Sequence, residues 1–293
     1  MDERAALDLL GGVVGRAGDD AAVVDGQVVT TDMLHERTDF PAGTTRYTAG
    51  WRAVGASLSD VAAMGAEATA AVAVYAAPEF AEADLLDFVR GAREVCEVVG
   101  AEYVGGDLDS HSEFTVATTA LGTTDDPVPR DGATPGDLVC VTGTMGRSAA
   151  ALRLFEQGAT DRANDLFRFE PRVAAGRALT PHATAMMDSS DGLARSLHQL
   201  AEASDCGFAV DYADVPVADV VREVAEDETD ERELSCFFGE DFELVFTLPE
   251  DALEPAREAS PTPISVIGRV TDADEEITMD GAALPDRGFT HGE

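Results

Sequence analysis

Six short acidic segments hold most of the chemistry available to this chain: Gly18-Asp19-Asp20, Thr30-Thr31-Asp32, Ser59-Asp60, Gly105-Gly106-Asp107, Asp188-Ser189-Ser190-Asp191 and Gly239-Glu240-Asp241. Each sets carboxylates beside glycine, serine or threonine, and most lie at the edge of an apolar run. Carboxylates packed this closely repel one another unless cations sit between them. Hard divalent cations such as Mg²⁺ prefer oxygen ligands and are held by a few carboxylates together with substrate phosphates rather than by a full protein cage. The clusters therefore point to phosphate chemistry on several metal ions. The competing explanation is plain solvation, because the whole chain is acidic.

With 57 acidic and 20 basic residues, the formal net charge is −37, and all 20 basic residues are arginine. Such a surface repels nucleic acid and anionic membranes, which bind basic patches. The composition is not that of a disordered chain, since 45% of residues are hydrophobic and apolar runs recur throughout. An acidic, lysine-free, folded chain has the composition of proteins from salt-accumulating halophiles, a halophilic archaeon being the expected source. There, molar salt shortens the reach of charge repulsion to about 3 Å. The absence of lysine excludes a Walker-type phosphate loop, a kinase strand lysine and a Schiff base. Any anion must be held by arginine, metal, backbone N–H groups or helix N-termini.

The 293 residues suit one large or two medium domains. There is no apolar stretch long enough to cross a membrane and no signal-peptide pattern at the N-terminus, so a cytoplasmic location is expected. Cys96, Cys140, Cys206 and Cys236 lie far apart without metal-binding spacing and read as small apolar residues in a reducing compartment. His35, His111, His182, His198 and His291 form no catalytic pattern.

Stepping along the chain, residues 21–24 and 27–31 flank Asp25-Gly26, a two-residue hairpin signal. Apolar spacing of four and three through Tyr47, Trp51, Val54, Leu58 and Val61 predicts a helix over 45–64. A strand is expected over 68–76 and a second helix over 79–99 with Phe80 inside. Two further strands, 102–104 and 114–121, flank a Gly-Gly-Asp loop. Residues 123–137, rich in proline, glycine and aspartate, read as a linker, dividing the chain into domains 1–130 and 131–293. The second half shows strands over 138–142, 183–187, 208–210, 242–247, 264–270 and 276–279, with helices over 148–155 and 193–203. The fold class is α/β (α+β), and each half contains a strand, an acidic loop and a helix.

If the hairpin strands pair, Asp20 and Thr31 or Asp32 approach one sheet end. Asp60 lies in an apolar helical segment where a charge needs a partner, either as a cap or as a metal ligand. Gly106-Asp107 suits close approach of backbone to a phosphate, or an ordinary turn. Gly143-Thr144-Met145-Gly146 at a helix start suits an anion or a tight turn equally. Asp188-Ser189-Ser190-Asp191-Gly192 offers two carboxylates, two hydroxyls and a helix N-terminus, more than a cap requires.

Seven segments stand in the order found in thiamine-monophosphate kinases: Gly18-Asp19-Asp20-Ala21-Ala22-Val23, Thr30-Thr31-Asp32, Leu58-Ser59-Asp60-Val61-Ala62-Ala63-Met64-Gly65, Gly105-Gly106-Asp107, Val141-Thr142-Gly143-Thr144-Met145-Gly146, Asp188-Ser189-Ser190-Asp191-Gly192-Leu193 and Gly239-Glu240-Asp241-Phe242-Glu243-Leu244. The chain resembles that family over residues 18–290, within the wider aminoimidazole ribonucleotide synthetase superfamily. The resemblance implies a two-domain fold whose N-terminal mixed sheet dimerises and whose homodimer binds ATP in a cleft of paired N-terminal domains. It implies ATP-dependent phosphorylation of thiamine monophosphate to the diphosphate by direct in-line transfer on several Mg²⁺ ions. The residues Asp20, Thr30, Thr31, Asp32, Asp60, Asp107, Asp188 and Asp191 fall on metal ligands, of which Asp107, Asp188 and Asp191 form the expected catalytic set. Gly106, Asp107, Arg130 and Ser190 fall on the nucleotide site with Tyr103 beside it, and Glu240 and Phe289 on the substrate. Asp39 occupies the place of a substrate-contacting histidine in relatives, and an acid cannot donate as histidine does.

Transfer onto a phosphate monoester needs little base catalysis, because its second pKa is about 6. The difficulty is bringing two anions together, and without lysine metal and Arg130 must supply the positive charge. The alternatives are a sibling synthetase of the superfamily or a non-catalytic nucleotide sensor. Selenophosphate synthetases need a reactive Cys and a Lys near the N-terminus, hydrogenase-maturation relatives a C-terminal Cys, and aminoimidazole ribonucleotide synthetases a Lys after their first Asp-Gly motif. None of these is present here. A sensor would have let the aspartate set decay.

Overall fold

The computed structural model describes residues 10, 13–14 and 18–289, so His291 lies outside the described residues. Strands β1 (Ala22–Val24) and β2 (Gln27–His35) form a hairpin in which Asp25 and Gly26 both take positive φ, 51° and 78°. That is the turn the Asp-Gly pair favours, because its twist matches the strands it joins. A single helical turn, Glu36–Asp39, leads to α1 (Arg46–Ala63), whose start is capped by the Thr45 hydroxyl accepting from Thr48 N. Next come β3 (Glu67–Ala77), α2 (Glu82–Val99), β4 (Glu102–Ser110) and β5 (Thr115–Thr123). The five strands are ordered β1-β2-β5-β3-β4, antiparallel except for the β3–β4 pair.

Two expectations are corrected in this sheet. The Gly-Gly-Asp segment is strand rather than loop, because β4 runs straight through it to Ser110. It can do so only with glycine: a Cβ on Gly106 would meet the Ala73 carbonyl oxygen of β3 at 1.7 Å. Phe80 precedes α2 and is half-exposed instead of lying inside a helix, since the helix starts only at Glu82.

Helices α1 and α2 cover one face of the sheet and lie almost in contact. A Cβ on Gly91 would fall 2.0 Å from the Tyr47 carbonyl oxygen, and one on Gly50 would fall 2.1 Å from that of Phe88. The other sheet face is open and carries Val29, Met33, Val74 and Leu121 exposed.

After residues 124–137 the second sheet begins, with β6 (Leu138–Thr142), β7 (Ala185–Asp188), β8 (Gly207–Val210), β9 (Leu244–Leu248), β10 (Ile264–Thr271), β11 (Thr278–Met279) and β12 (Ala282–Ala283). Their order is β12-β11-β8-β10-β6-β9-β7. Helices α3 (Arg147–Glu156) and α4 (Leu193–Ser204) follow β6 and β7. The acidic run of residues 226–233 contains the short helix Glu228–Arg232, capped by Asp227. The four cysteines are free thiols, Cys206 half-buried and the others buried.

Helix α1 ties the halves together. Its Val54, Leu58 and Val61 belong to one apolar core with Val28 and Phe114 of the first half and with Cys140, Met186, Leu244 and Phe246 of the second. A helix buried on both sides must be apolar or small nearly all round, which explains its run of Ala, Gly and Ser. The polar residues it does carry therefore face partners rather than water.

Candidate active site

The inward face of β2 follows the two-residue period of a strand: Val28, Thr30, Asp32 and Leu34 point toward α1, while Thr31 points to the open face. Thr30 donates its hydroxyl to Asp60 Oδ2, and Ser57 of α1 donates to Asp32 Oδ2. Asp60, in the last turn of α1, caps nothing. It faces Asp20 from the chain before β1 and Asp188 from the end of β7, and one carboxylate oxygen from each of these three residues lies within 4.8 Å of the others. Three elements distant in sequence thus deliver carboxylates to one point.

The electrostatics match. Burial first, then the charges of Asp32, Asp188 and Asp20, hold the Asp60 carboxyl well above the ordinary carboxylate range. Asp188 is pushed the same way by burial and then by Asp20. Burial also raises Asp32, against the Ser57 hydrogen bond. Asp188 Oδ2 is buried with no hydrogen-bond partner, as is the Ser59 hydroxyl, although Ser59 and Arg130 both act to lower the Asp188 value against burial and Asp20. A cluster of buried, mutually repelling carboxylates with an orphaned oxygen is a donor set for a hard cation. Arg130 partly neutralises it, binding Asp20 bidentately at 3.1 and 2.7 Å through Nε and Nη2. Burial works against the Arg130 charge, yet the Asp20 carboxylate carries its pKa above the ordinary arginine value.

Not every expected ligand joins this cluster. The Thr31 hydroxyl donates to the Thr118 carbonyl on the open face. Asp107 pairs in register with Val74 and shares that open face, three strands from β2. Tyr103, Gly106 and Asp107 together line a groove of about 510 Å³ between β4 and α2. Ser190 and Asp191 lie on the turn from β7 into α4, where the Ser190 carbonyl accepts from Glu240 N at 2.6 Å and the Asp191 carbonyl from Phe289 N at 3.0 Å.

Those contacts lead to a second cavity, of about 400 Å³, in which all three residues assigned to the substrate meet: Asp39, Glu240 and Phe289, with Phe40, Phe155 and Phe238. The Asp39 carboxylate is engaged by its own turn, accepting from His35 N at 2.6 Å and from the Thr38 hydroxyl at 2.7 Å. His35 instead pairs with Thr115 across the sheet and is not among the residues that line this cavity.

The start of α3 resolves the anion-or-turn alternative. Asp241 accepts from Gly146 N and Ser148 N, and Glu243 accepts from Thr144 N and pairs with Arg172. The helix N-terminus is already occupied by carboxylates of the chain itself, so it is not an anion site. Asp241, Glu243 and Arg52 are the residues the motif reading left without a role. The available signal was Arg52, a charge within the same small-residue helix that drew attention to Asp60.

Comparison with known proteins identifies the family. The AIR synthase related protein N-terminal domain matches residues 18–124 and the AIR synthase related protein C-terminal domain residues 134–280. The thiamine-monophosphate kinase of Halobacterium salinarum is 66% identical, covering 99% of this chain and 100% of its own. That of Methanospirillum hungatei is 41% identical, covering 99% of both chains. The solved structure of AaThiL complexed with AMPPCP and TMP superposes with a TM-score of 0.89 at 29% identity, over 99% of this chain and 97% of that one. The chain belongs to the AIR synthase related proteins and, within them, to the thiamine-monophosphate kinase family.

Proposed function

We propose that the chain transfers the γ-phosphoryl group of ATP to the phosphate of thiamine monophosphate, releasing ADP and thiamine diphosphate. The observation that carries this reading is the meeting of Asp20, Asp60 and Asp188, with the orphaned Asp188 Oδ2, beside the turn after β7 that also holds Glu240. Kinship with enzymes named for this reaction supports it.

In the reaction an acceptor phosphate oxygen forms a bond to the γ-phosphorus while the bond to the bridging oxygen of ADP breaks. The acceptor is already ionised, so no residue need remove a proton. The cluster of Asp20, Asp60 and Asp188, with Thr30 and Asp32 bonded beside it, offers donors that suit Mg²⁺; in this reading Asp191 adds to it from the turn, and Thr31 and Asp107 are further ligands on the open face. When bound, such ions offset the repulsion between two phosphate groups and align them for in-line displacement. Arg130 and Ser190 flank the nucleotide, with Tyr103, Gly106 and Asp107 in the β4 groove. Glu240 and Phe289 hold the thiamine part, and Asp39 rigidifies the pocket wall instead of touching substrate as a histidine would. The domains 1–130 and 131–293 supply these groups from either side of α1.

The chain acts as a homodimer in this reading. Thr31 and Asp107 share the open sheet face but stand roughly 14 Å apart, three strand spacings. The exposed Val29, Met33, Val74 and Leu121 give a second copy an apolar face to pack on, and antiparallel apposition there would bring β4 of one chain to β2 of the other. Among the described residues no helix is long and apolar enough to cross a membrane, and the reaction is assigned to the cytoplasm.

Following ³¹P resonances of ATP and thiamine monophosphate in high salt tests the proposal. Thiamine diphosphate and ADP should appear together and stop appearing in EDTA. Full turnover in EDTA, a phosphorylated-enzyme intermediate or no diphosphate would each defeat it.

A further inference from the structure

We infer that Arg52 is a positioning residue for the substrate pocket, a guanidinium rooted in α1 that fixes the Glu240 carboxylate and the loop carrying it. The inference rests on the reading of Glu240 as a substrate contact. The Arg52 side chain is 1% exposed, that of Glu240 23%, and Nη2 lies 2.9 Å from Glu240 Oε2. The same nitrogen donates to the Glu240 carbonyl at 3.2 Å, while Nη1 donates to the Phe167 carbonyl at 2.6 Å and to the Ser148 hydroxyl at 3.2 Å. Ser148 in turn donates to the Glu240 carbonyl at 2.6 Å. The guanidinium lies 3.6 Å from the centroid of the Phe167 ring, which fixes its plane.

Glu240 needs such support. Its φ of 68° is in the left-handed region, disfavoured for any residue with a side chain. Its N–H is held by Ser190, its carbonyl by Arg52 and Ser148, and its carboxylate by Arg52. A buried guanidinium costs several kcal/mol unless it is paired and hydrogen-bonded. Here the pairing is spent on a residue that lines the 400 Å³ cavity. Burial pulls the Arg52 pKa down and the charges of Glu240, Asp241 and Asp39 oppose this, so the cation answers several acids of the pocket wall. Lysine could not reproduce the arrangement, because one ammonium cannot span the carboxylate and two carbonyls in a fixed plane. Through Ser190 the clamp also holds the pocket in register with the Asp188–Asp191 turn.

The test uses Arg52→Gln and Arg52→Lys, each with and without Glu240→Gln, in full-length enzyme at high salt. Arg52→Gln should raise KM for thiamine monophosphate about tenfold or more and change KM for ATP less than about twofold, with Arg52→Lys recovering only part. In the Glu240→Gln background Arg52→Gln should add little, since the two act as one unit. Ligand-free crystals of the Arg52 variants should show Glu240 displaced while the Arg172–Glu243 pair stays. Equal rises in both KM values, additive effects, or an unmoved Glu240 would overturn the inference. If Arg52→Gln does not fold, Arg52→Lys carries the same readouts. If the wild type does not phosphorylate thiamine monophosphate, the proposed activity falls, and the crystals still decide whether Arg52 positions Glu240.

Discussion

Asp188 bears the cost of an acidic centre most directly. It is buried, faces Asp20, and has one oxygen that bonds to nothing in the protein. Replacing it by asparagine keeps the shape and removes the charge, and the same holds for Asp60. We expect Asp188→Asn and Asp60→Asn to lower kcat/KM on the order of 10²- to 10³-fold, as loss of a group that stabilises transferring charge does. Without metal, both variants should melt a few degrees higher than the wild type, because a buried repulsion is gone. Near-normal activity, or a lower metal-free melting temperature, would remove these residues from the proposed metal site. Asp60 was legible in the sequence because a charge in an apolar helix demands a partner. Its partners followed only from the family resemblance, since Thr30 and Asp188 reach it through the tertiary fold. The choice between Thr31 and Asp32 was open to reading in principle: Val28, Thr30, Asp32 and Leu34 share one parity, and the pleat sends Thr31 the other way.

At the scale of elements, the sequence showed which strands and helices exist better than how they end. Helices 45–64 and 79–99 appear as Arg46–Ala63 and Glu82–Val99. The Gly-Gly-Asp strand was missed because glycine ordinarily signals a break, whereas here it permits β3 and β4 to touch. The α3 start was ambiguous because its capping group comes from a segment more than ninety residues away, Asp241. That cap yields a pH prediction. Burial raises the Asp241 carboxyl from 3.8 to about 7, outweighing its two backbone N–H donors. A carboxyl with a raised folded value binds its proton more tightly when folded. Its stabilising contribution is complete below 3.8 and is lost as pH rises through about 7. Asp241→Asn cannot titrate, so relative to the wild type it should gain on the order of 1–3 kcal/mol between pH 4 and pH 8. Denaturant unfolding of both proteins across that range measures it, and a constant difference would show that Asp241 stays ionised throughout.

For the whole molecule, two properties of the surface oppose each other. A net charge of −37 drives copies apart, yet Val29, Met33, Val74 and Leu121 leave an apolar sheet face in water. Molar salt reduces the reach of the repulsion to about 3 Å without weakening apolar burial, whereas at 0.1 M the reach returns to about 10 Å. Self-association through the sheet should therefore depend on salt. Sedimentation of the wild type is expected to give a dimer in about 2 M KCl and a rising monomer fraction toward about 0.1 M, where charge repulsion reaches farther. Val74→Arg and Leu121→Arg put a cation into that face and should give monomers even at high salt. Because Asp107 shares the face with Thr31 but stands three strands from it, the monomeric variants should also lose turnover while keeping the wild-type far-ultraviolet circular dichroism. Dimers that survive both substitutions would place the interface elsewhere. Monomers with full activity would mean that Asp107 and the inward carboxylates serve one chain alone.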